Sequence, residues 1–376
     1  MDIQAGAVEG VVTEETATGA LWNGRRVFVT GHTGFKGGWL CLWLRRMGAE
    51  VHGYALPPPT EPSLFAEARV ERVLASHTIG DVRDADALGR AVRAARPEVV
   101  FHLAAQPLVR DSYRRPVETY EINVMGLVHL LEAVRATGGV KALVNVTSDK
   151  CYENREWTLG YREHDAVGGH DPYSSSKGCA ELVTAAYRRS FLAEAGVAVA
   201  TARAGNVVGG GDWASDRLVP DVLRAFDGGR ALIVRSPGAT RPWQHVLEPV
   251  SGYMMLAARL FETNGAAFAE AWNFGPADDD ARTVGWLVGR VAARLPGLSW
   301  STDSSAQPHE AACLRIDSTK ARARLSWCPR WTVDTALDKT IDWHMAWRDG
   351  RDMHAVTLAQ IDDYILDRIP AGCGAV

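Results

Sequence analysis

Residues 30–37 restrict the fold of this chain more than any other segment. They follow the short apolar run 27–29 and read Thr-Gly-His-Thr-Gly-Phe-Lys-Gly, with glycines at positions 31, 34 and 37. A buried strand, a glycine turn and a helix in this order begin a dinucleotide-binding fold, because the glycines let the backbone approach a pyrophosphate at the helix N-terminus. We therefore predict a cofactor loop here, in preference to a plain tight turn.

Apolar strands alternate with helical patterns through the first half of the chain. Strands are predicted at residues 50–55, 99–103 and 142–146, and helices at residues 39–47 and 127–134. Alternation at this spacing predicts an α/β fold with a Rossmann-like, doubly wound parallel sheet.

The pattern changes after about residue 206, where glycine and proline interrupt the chain repeatedly. Such breaks are typical of loops and predict a smaller C-terminal substrate-binding lobe. We expect a disordered extension at residues 1–20, a cofactor-binding domain at 21–206, and the substrate lobe mainly at 207–376. Because Trp272, Asn273 and Phe274 resemble a strand, we expect the first domain to be rejoined by about residues 243–276.

Composition excludes several classes of function. With 41 Lys and Arg against 45 Asp and Glu, the formal charge of −4 gives nucleic-acid binding no electrostatic support. No apolar run approaches the ~18 residues of a membrane span, and residues 1–20 lack the basic residues of a signal peptide. The six cysteines show neither C-x-x-C pairs nor metal-ligand spacing, which predicts reduced thiols in a cytoplasmic protein without a metal.

The acid that usually binds the cofactor ribose is absent. Residues 51–60, about 20 positions beyond the glycine loop, contain no carboxylate and no arginine, so NAD is favoured over NADP without a residue that settles the choice. Asp81 and Val82 end another strand-like run and could contact the adenine, although Asp81 could equally cap the next helix. His32 and Lys36 are either cations that reach the phosphates or polar residues on a surface turn.

Two short runs carry the chemistry. Tyr173 and Lys177 lie four residues apart, on one helical face. An ammonium within ~4–6 Å can lower the pKa of a phenol from its usual value near ~10 by ~1–3 units, so that the phenol can take a hydroxyl proton as a hydride leaves the same carbon. Ser148, Asp149 and Lys150 close a strand and put an acid beside an amine. Without the other motifs, Tyr173 and Lys177 could also be an exposed pair on a helix.

These runs resemble the extended short-chain dehydrogenase/reductases, in the NAD-dependent epimerase/dehydratase group. The resemblance rests on residues 30–37, 102–105 and 203–206 together with Tyr173 and Lys177. Within that family the chain is similar to the CDP-glucose 4,6-dehydratases over almost its whole length from residue 21. The matching runs are residues 30–37, 104–110, 147–152, 209–213 and 241–246.

The resemblance implies a redox-neutral lyase that makes a 4-keto-6-deoxy sugar, for deoxysugar biosynthesis such as that of lipopolysaccharide. Tyr173 would deprotonate the sugar 4-hydroxyl while NAD takes the C4 hydride, and Asp149 would protonate the departing 6-hydroxyl. Lys150 would act at C5, either as a neutral base or as a cation that stabilises the enolate; relatives that act on dTDP-sugars have Glu there. Ser148 would bond a sugar hydroxyl, or only cap the strand end.

The resemblance also implies the binding residues. Those expected to hold the cofactor are Gly31, His32, Gly34, Phe35, Lys36, Gly37, Asp81, Val82, Leu103, Ala104, Ala105, Tyr173 and Lys177. Those expected to hold the nucleotide sugar are Gln106, Asn206, Arg217, Arg241, His245 and Arg315. Arg241 is the preferred phosphate ligand, because a guanidinium binds two oxygens at once, although without the resemblance each arginine could be a surface residue. Trp213 and Trp243 either stack on the ligand or fill the lobe.

Three alternatives stay open. A nucleotide-sugar 4-epimerase would need Tyr173 and Lys177 but has no use for Asp149 and Lys150. A 4,6-dehydratase for another nucleotide sugar would share the whole site, because no single residue dictates cytosine. A non-catalytic regulatory protein that binds NAD could have the same fold without the activity. The resemblance further implies a homodimer or higher homo-oligomer formed through helices near residues 120–136 and 173–192, with no nucleic-acid or membrane partner.

Overall fold

The computed structural model describes residues 19–303 and 312–367. Apart from its last two residues, the predicted extension at 1–20 lies outside the described residues. The strands are β1 (Arg26–Thr30), β2 (Glu50–Ala55), β3 (Ser76–Ile79), β4 (Val99–His102), β5 (Ala142–Val146), β6 (Ala198–Ala204), β7 (Val207–Val208), β8 (Leu232–Val234), β9 (Thr240–Pro242), β10 (Gln244–His245), β11 (Ala271–Phe274), β12 (Ala281–Thr283) and β13 (Trp300–Thr302).

Seven strands form one sheet in the order β11-β6-β5-β4-β1-β2-β3. Every neighbouring pair in it is parallel, so the predicted Rossmann-like fold class is confirmed. The predicted limits of β2 and β5 match the structure, and β4 ends one residue earlier than predicted. Continuous apolar runs identify these strands because a parallel sheet is covered on both faces.

Helices cover both faces of the sheet. The α-helices are α1 (Phe35–Arg46), α2 (Leu64–Glu67), α3 (Ala85–Ala95), α4 (Val109–Arg114), α5 (Pro116–Tyr120), α6 (Gly126–Thr137), α7 (Pro172–Tyr187), α8 (Leu218–Asp227), α9 (Leu247–Phe261), α10 (Val284–Arg294), α11 (Thr319–Leu325), α12 (Val333–Arg348) and α13 (Met353–Leu366). Val27 and Val29 of β1 pack with α1 and α9, whereas Phe28 packs with α3 and α6. This alternation follows from the two-residue period of a strand.

The chain returns to the sheet after it has entered the smaller lobe. Strand β11 pairs with β6, from Ala271 opposite Thr201 to Phe274 opposite Ala204, as the apolar run around Trp272 predicted. The lobe has its own core, in which α8, α10 and α12 pack around buried residues such as Val222 and Leu287. The proposed domain limits themselves stay a prediction.

Two further expectations bear on the cellular setting. No helix in the described ranges is both long and apolar enough to cross a bilayer. The prediction that all cysteines are reduced is wrong for Cys328, which is disulfide-bonded. Pairing depends on which sulfurs the fold brings together, which spacing in the sequence does not reveal. Four other cysteines carry free thiols: Cys41, Cys151, Cys179 and Cys313.

Candidate active site

A cavity of about 870 Å³ lies at the carboxyl ends of the central strands, between the sheet and the smaller lobe. Strands β4 and β2 lie on opposite sides of β1 in the sheet, so the strand order reverses at β1. The cavity begins at this reversal, which is the switch point where parallel α/β folds bind ligands. Its lining runs from Asp81 and Val82, past the glycine loop, to Arg241 and Trp243 of the lobe. The volume suits a ligand of dinucleotide or nucleotide-sugar size.

The glycine loop has the conformation that close approach to a phosphate requires. Gly31 has φ of +78°, and a Cβ there would lie 2.7 Å from the Ala104 nitrogen. A Cβ on Gly37 would collide with the Gly31 carbonyl oxygen. Helix α1 starts after Gly34 without a side-chain cap, so its first N–H groups can donate to an anion. The loop thus fits a pyrophosphate.

We expect the variant Gly37→Ala to bind NAD at least about tenfold more weakly, which is about 1.4 kcal/mol, because the added methyl group displaces the loop. Isothermal titration of the purified variant with NAD measures the effect. Gly289→Ala is the matched control, since a Cβ on this exposed helical glycine meets no atom within 4 Å. Equal affinities of Gly37→Ala and Gly289→Ala would contradict this assignment of the loop.

The two polar side chains of the loop differ in role. The interpretation of His32 as a cation that reaches the phosphates is wrong. Its ring is fully buried, its Nε2 lies 2.7 Å from Nδ1 of His77, and burial together with His77 lowers its pKa to about 4, so it is neutral and outside the cavity. Lys36 does line the cavity. Burial and the neighbouring Arg217 lower the pKa of Lys36 to about 7, which excludes the surface-turn alternative.

The remaining predicted cofactor residues line the cavity: Gly31, Gly34, Phe35, Lys36, Gly37, Asp81, Val82, Leu103, Ala104, Ala105, Tyr173 and Lys177. Asp84, not Asp81, caps α3 by accepting from the Ala87 nitrogen at 2.9 Å. Asp81 instead pairs with Arg83 at 2.6 Å. The capping alternative for Asp81 is therefore excluded.

Helix α7 carries Tyr173 and Lys177 into the cavity. Asp171 caps the helix by accepting from the Ser174 nitrogen at 2.9 Å, and this fixes the first turn, in which Tyr173 lies. The Lys177 ammonium donates to the Val146 carbonyl at 3.3 Å. Burial raises the pKa of Tyr173 to about 12 and lowers that of Lys177 to about 8. The expected depression of the phenol pKa is thus not found, because burial outweighs the neighbouring charges.

The run Ser148–Asp149–Lys150 follows β5 and forms a short 3-10 turn at the edge of the cavity. The Ser148 hydroxyl accepts from the Lys150 nitrogen at 3.2 Å and donates to Asp149 Oδ1 at 3.0 Å. Its hydroxyl also lies beside Tyr173 and acts to lower the pKa of the phenol. Ser148 therefore caps the turn and also joins the two acidic groups.

Asp149 has the environment of a proton donor. Its carboxyl is buried and its Oδ2 has no hydrogen-bond partner in the described structure. Burial raises its pKa above the ordinary value, against the opposing charges of Lys150 and Arg241. A carboxyl group whose pKa is raised in this way can hold a proton and deliver it to a leaving hydroxyl.

The predicted substrate residues fall into two groups. Asn206, Arg217 and Arg241 line the cavity. Arg217 pairs with Asp212 at 2.9 Å, which holds its guanidinium in place. Trp213 packs on Trp343 and Trp347, and Trp243 belongs to the core of the lobe. Trp213 and Trp243 also line the cavity.

Three predicted substrate residues lie outside the cavity lining. Gln106 is buried, and its amide nitrogen donates to the Leu108 carbonyl and to Thr119, so it shapes the loop after β4. His245 is fully buried between Trp39 and Trp331, and burial lowers its pKa to about 3. Arg315 also lies outside the cavity lining. All three are polar in sequence, but none is among the residues that line the cavity.

Sequence reasoning missed Asp212 and Tyr253. Asp212 lies in the run 209–213 that carried the family resemblance, so that run was the available signal. Tyr253 of α9 is fully buried, its hydroxyl has no partner in the described structure, and burial, Tyr173 and Asp149 raise its pKa above the ordinary range. An apolar helix pattern contains no signal for this position.

Comparisons with known proteins agree with this arrangement. The family described as GDP-mannose 4,6 dehydratase matches residues 28–340. The chain is 55% identical over 351 residues to the CDP-glucose 4,6-dehydratase of Salmonella typhimurium strain LT2, covering 92% of this chain and 97% of that protein. It is 25% identical to a dTDP-glucose 4,6-dehydratase of Xanthomonas campestris pv. campestris, covering 84% and 92%.

A solved structure has the same fold. The dTDP-glucose 4,6-dehydratase DesIV of Streptomyces venezuelae, with NAD and TYD bound, superposes with a TM-score of 0.75 at 23% identity, covering 88% of this chain and 99% of that one. At this identity the likeness shows the fold.

Proposed function

This chain belongs to the GDP-mannose 4,6 dehydratase family, and we propose on that premise that it is an NAD-dependent CDP-glucose 4,6-dehydratase. It converts CDP-D-glucose to CDP-4-dehydro-6-deoxy-D-glucose and water. The observation that carries the proposal is the meeting of Asp149 and Lys150 with Tyr173 in one cavity. The choice of the cytidine nucleotide rests on the relative that is 55% identical.

The cavity fits the cofactor that the family uses. Gly31, Gly34 and Gly37 leave room for a pyrophosphate at the start of α1, and Asp81 and Val82 line the end where the adenosine would lie. NAD, when bound there, accepts a hydride from C4 of the sugar and returns it to C6.

Tyr173 is the proposed base for the 4-hydroxyl. In the described structure its pKa is about 12 because of burial, so the phenol needs support to lose its proton. Lys177 supplies a positive charge one helical turn away, and the neighbouring Ser148 acts to lower the pKa of the phenol. Loss of the hydroxyl proton and of the C4 hydrogen makes a ketone, which acidifies the proton at C5.

Asp149 and Lys150 are the proposed elimination pair. Asp149, whose pKa is raised by burial, donates a proton to the 6-hydroxyl as it leaves as water. Lys150 is only partly buried at the cavity edge, and its ammonium has no hydrogen-bond acceptor among the described residues. It acts at C5, as a base when neutral or as an electrostatic stabiliser of the enolate when charged.

Tyr173 and Asp149 must exchange a proton to complete each turnover. In each turnover Tyr173 gains the proton of O4, and Asp149 gives one proton to water. Ser148 lies between them, because its hydroxyl is beside Tyr173 and donates to Asp149 Oδ1 at 3.0 Å. A proton passed from Tyr173 to Ser148, as the Ser148 proton passes to Asp149, resets the site.

Arg241 and Arg217 are the proposed ligands of the substrate diphosphate, with Asn206 beside them. All three line the lobe side of the cavity, and guanidinium groups suit phosphate oxygens. A 4-epimerase, the rival proposal, would not use Asp149 and Lys150, because it eliminates no water.

Deuterium at C4 of CDP-glucose tests the proposal. We expect the purified protein with NAD to form a 4-keto-6-deoxy product whose C6 methyl group carries the deuterium, because one cavity removes and returns the same hydrogen. Nuclear magnetic resonance of the product measures the position of the label. Formation of an inverted 4-hydroxy sugar would point to an epimerase, and turnover of dTDP-, UDP- or GDP-glucose alone would refute the choice of the CDP-sugar.

A homodimer and a cytoplasmic location complete the proposal. Exposed apolar side chains on and beside α7 support self-association: Leu182 is 61% and Phe191 42% exposed, and Met125 on a neighbouring helical segment is 46% exposed. Sedimentation equilibrium measures the mass of the assembly. The free thiols of Cys41, Cys151, Cys179 and Cys313 support the cytoplasmic location, against which stands the disulfide bond of Cys328.

A further inference from the structure

Glu181 is a buried acid behind the proposed catalytic pair. It lies on α7 four residues after Lys177, and Tyr173, Lys177 and Glu181 therefore share one face of the helix. Its side chain is 6% exposed. It does not line the main cavity, so no step of the proposed reaction uses it directly.

Each Glu181 carboxylate oxygen is hydrogen-bonded to a strand of the sheet. Oε1 accepts from the Thr147 hydroxyl at 2.5 Å, and Thr147 directly precedes the run 148–150. Oε2 accepts from the Thr201 hydroxyl at 2.7 Å and from Arg203 Nη2 at 2.8 Å. The carboxylate therefore connects α7 to the end of β5 and to β6. Lys177 reaches the same strand end through the Val146 carbonyl.

Arg203 anchors the carboxylate from the other side. Its guanidinium, 4% exposed, pairs with Glu181 and also donates to the Tyr152 hydroxyl at 2.7 Å. The Tyr152 hydroxyl in turn donates to Asn273 Oδ1 of β11 at 2.7 Å. A buried ion pair with its remaining oxygens hydrogen-bonded holds its geometry rigidly.

Glu181 is also the negative charge that supports Lys177. Burial lowers the pKa of Lys177 to about 8, and Glu181 and Cys151 act against that shift. Burial keeps the pKa of the Cys151 thiol well above its usual range, so the thiol is uncharged near neutrality and the opposing charge is that of Glu181. The titratable groups that face Lys177 from the packed elements are Glu181, Cys151, His102 and Lys36.

We propose that Glu181 is a positioning residue of the dehydration reaction, which fixes the strand end bearing Ser148–Lys150 and holds a carboxylate one helical turn from Lys177. The inference rests on the proposed function for its activity readout. A second cavity of about 160 Å³, lined by Glu181, Thr201 and Arg203 among others, is separate from the active-site cavity.

The variant Glu181→Gln tests the inference through pH. Lys177 is charged below its pKa and loses its charge as the pH rises through it. Removing the negative charge lowers this pKa, so we expect the alkaline limb of the kcat profile to move to lower pH by about one unit. Competitive acetylation of Lys177, followed by peptide mass spectrometry, measures the same pKa without turnover.

Controls separate the possible outcomes. Glu132→Gln removes an exposed carboxylate that pairs with Arg135 and should leave both readouts unchanged. If Glu181→Gln does not fold, Glu181→Gln/Arg203→Met removes both ends of the ion pair and should show the same shift. An unshifted Lys177 pKa in a folded variant refutes the inference. Absence of CDP-glucose turnover by the parent protein refutes the proposed function, while the acetylation result still decides the role of Glu181.

Discussion

Replacing Tyr173 with phenylalanine is expected to lower kcat for CDP-glucose dehydration by about 10²- to 10⁴-fold, the usual contribution of a positioned acid or base. The change removes only the hydroxyl that lies beside Ser148 and leaves the buried ring in place. Initial rates of 4-keto sugar formation measure the loss. The Tm should change little, because no backbone bond is lost.

Tyr187→Phe is the matched control for this prediction. Tyr187 ends the same helix, α7, and lies beside Glu132, outside the cavity lining. Its loss should leave kcat within about twofold, as expected for a surface change without catalytic contact. A Tyr173→Phe enzyme as active as Tyr187→Phe would remove Tyr173 from the mechanism.

The second large effect concerns Asp149. Asp149→Asn should reduce product formation by about 10²- to 10⁴-fold, because the amide cannot protonate the departing hydroxyl. Oxidation at C4 and removal of the C5 proton do not need this group. In heavy water the recovered CDP-glucose should therefore acquire deuterium at C5, which nuclear magnetic resonance detects.

Lys150→Ala gives the opposite pattern and serves as the paired control. Here exchange at C5 should be lost together with product formation, since either role of Lys150 acts at C5. Normal C5 exchange in Lys150→Ala would show that Lys150 does not act there. An Asp149→Asn enzyme that still forms product at the parent rate would show that another group, or water, protonates the leaving hydroxyl.

Local pattern was sufficient for much of the fold. The limits of β5 could be read from its sequence, because this central strand of a covered parallel sheet buries every residue, and those of β2 because only Glu50 and His52 at its start are not buried. The return of the chain through Trp272 was also visible as a short apolar run. The glycine loop was visible because its conformation tolerates few other residues.

Burial of polar side chains could not be read in this way. His32 and His245 are histidines in runs that match the family, yet both are fully buried and neutral. The amide nitrogen of Gln106 likewise donates its hydrogen bonds to Leu108 and Thr119. A residue type states which bonds a side chain can make, whereas its neighbours in space decide which bonds it does make.

The sequence by itself determined the order of strands and helices, the glycine turn and the adjacency of Ser148, Asp149 and Lys150, because these depend on residues close together in the chain. Only the tertiary structure decided that Tyr173 meets Asp149 through Ser148, that burial raises the pKa of both acids, and that Glu181 stands behind Lys177 with Arg203. Those properties depend on distance and on exclusion of water, and folding sets both between residues far apart in the chain.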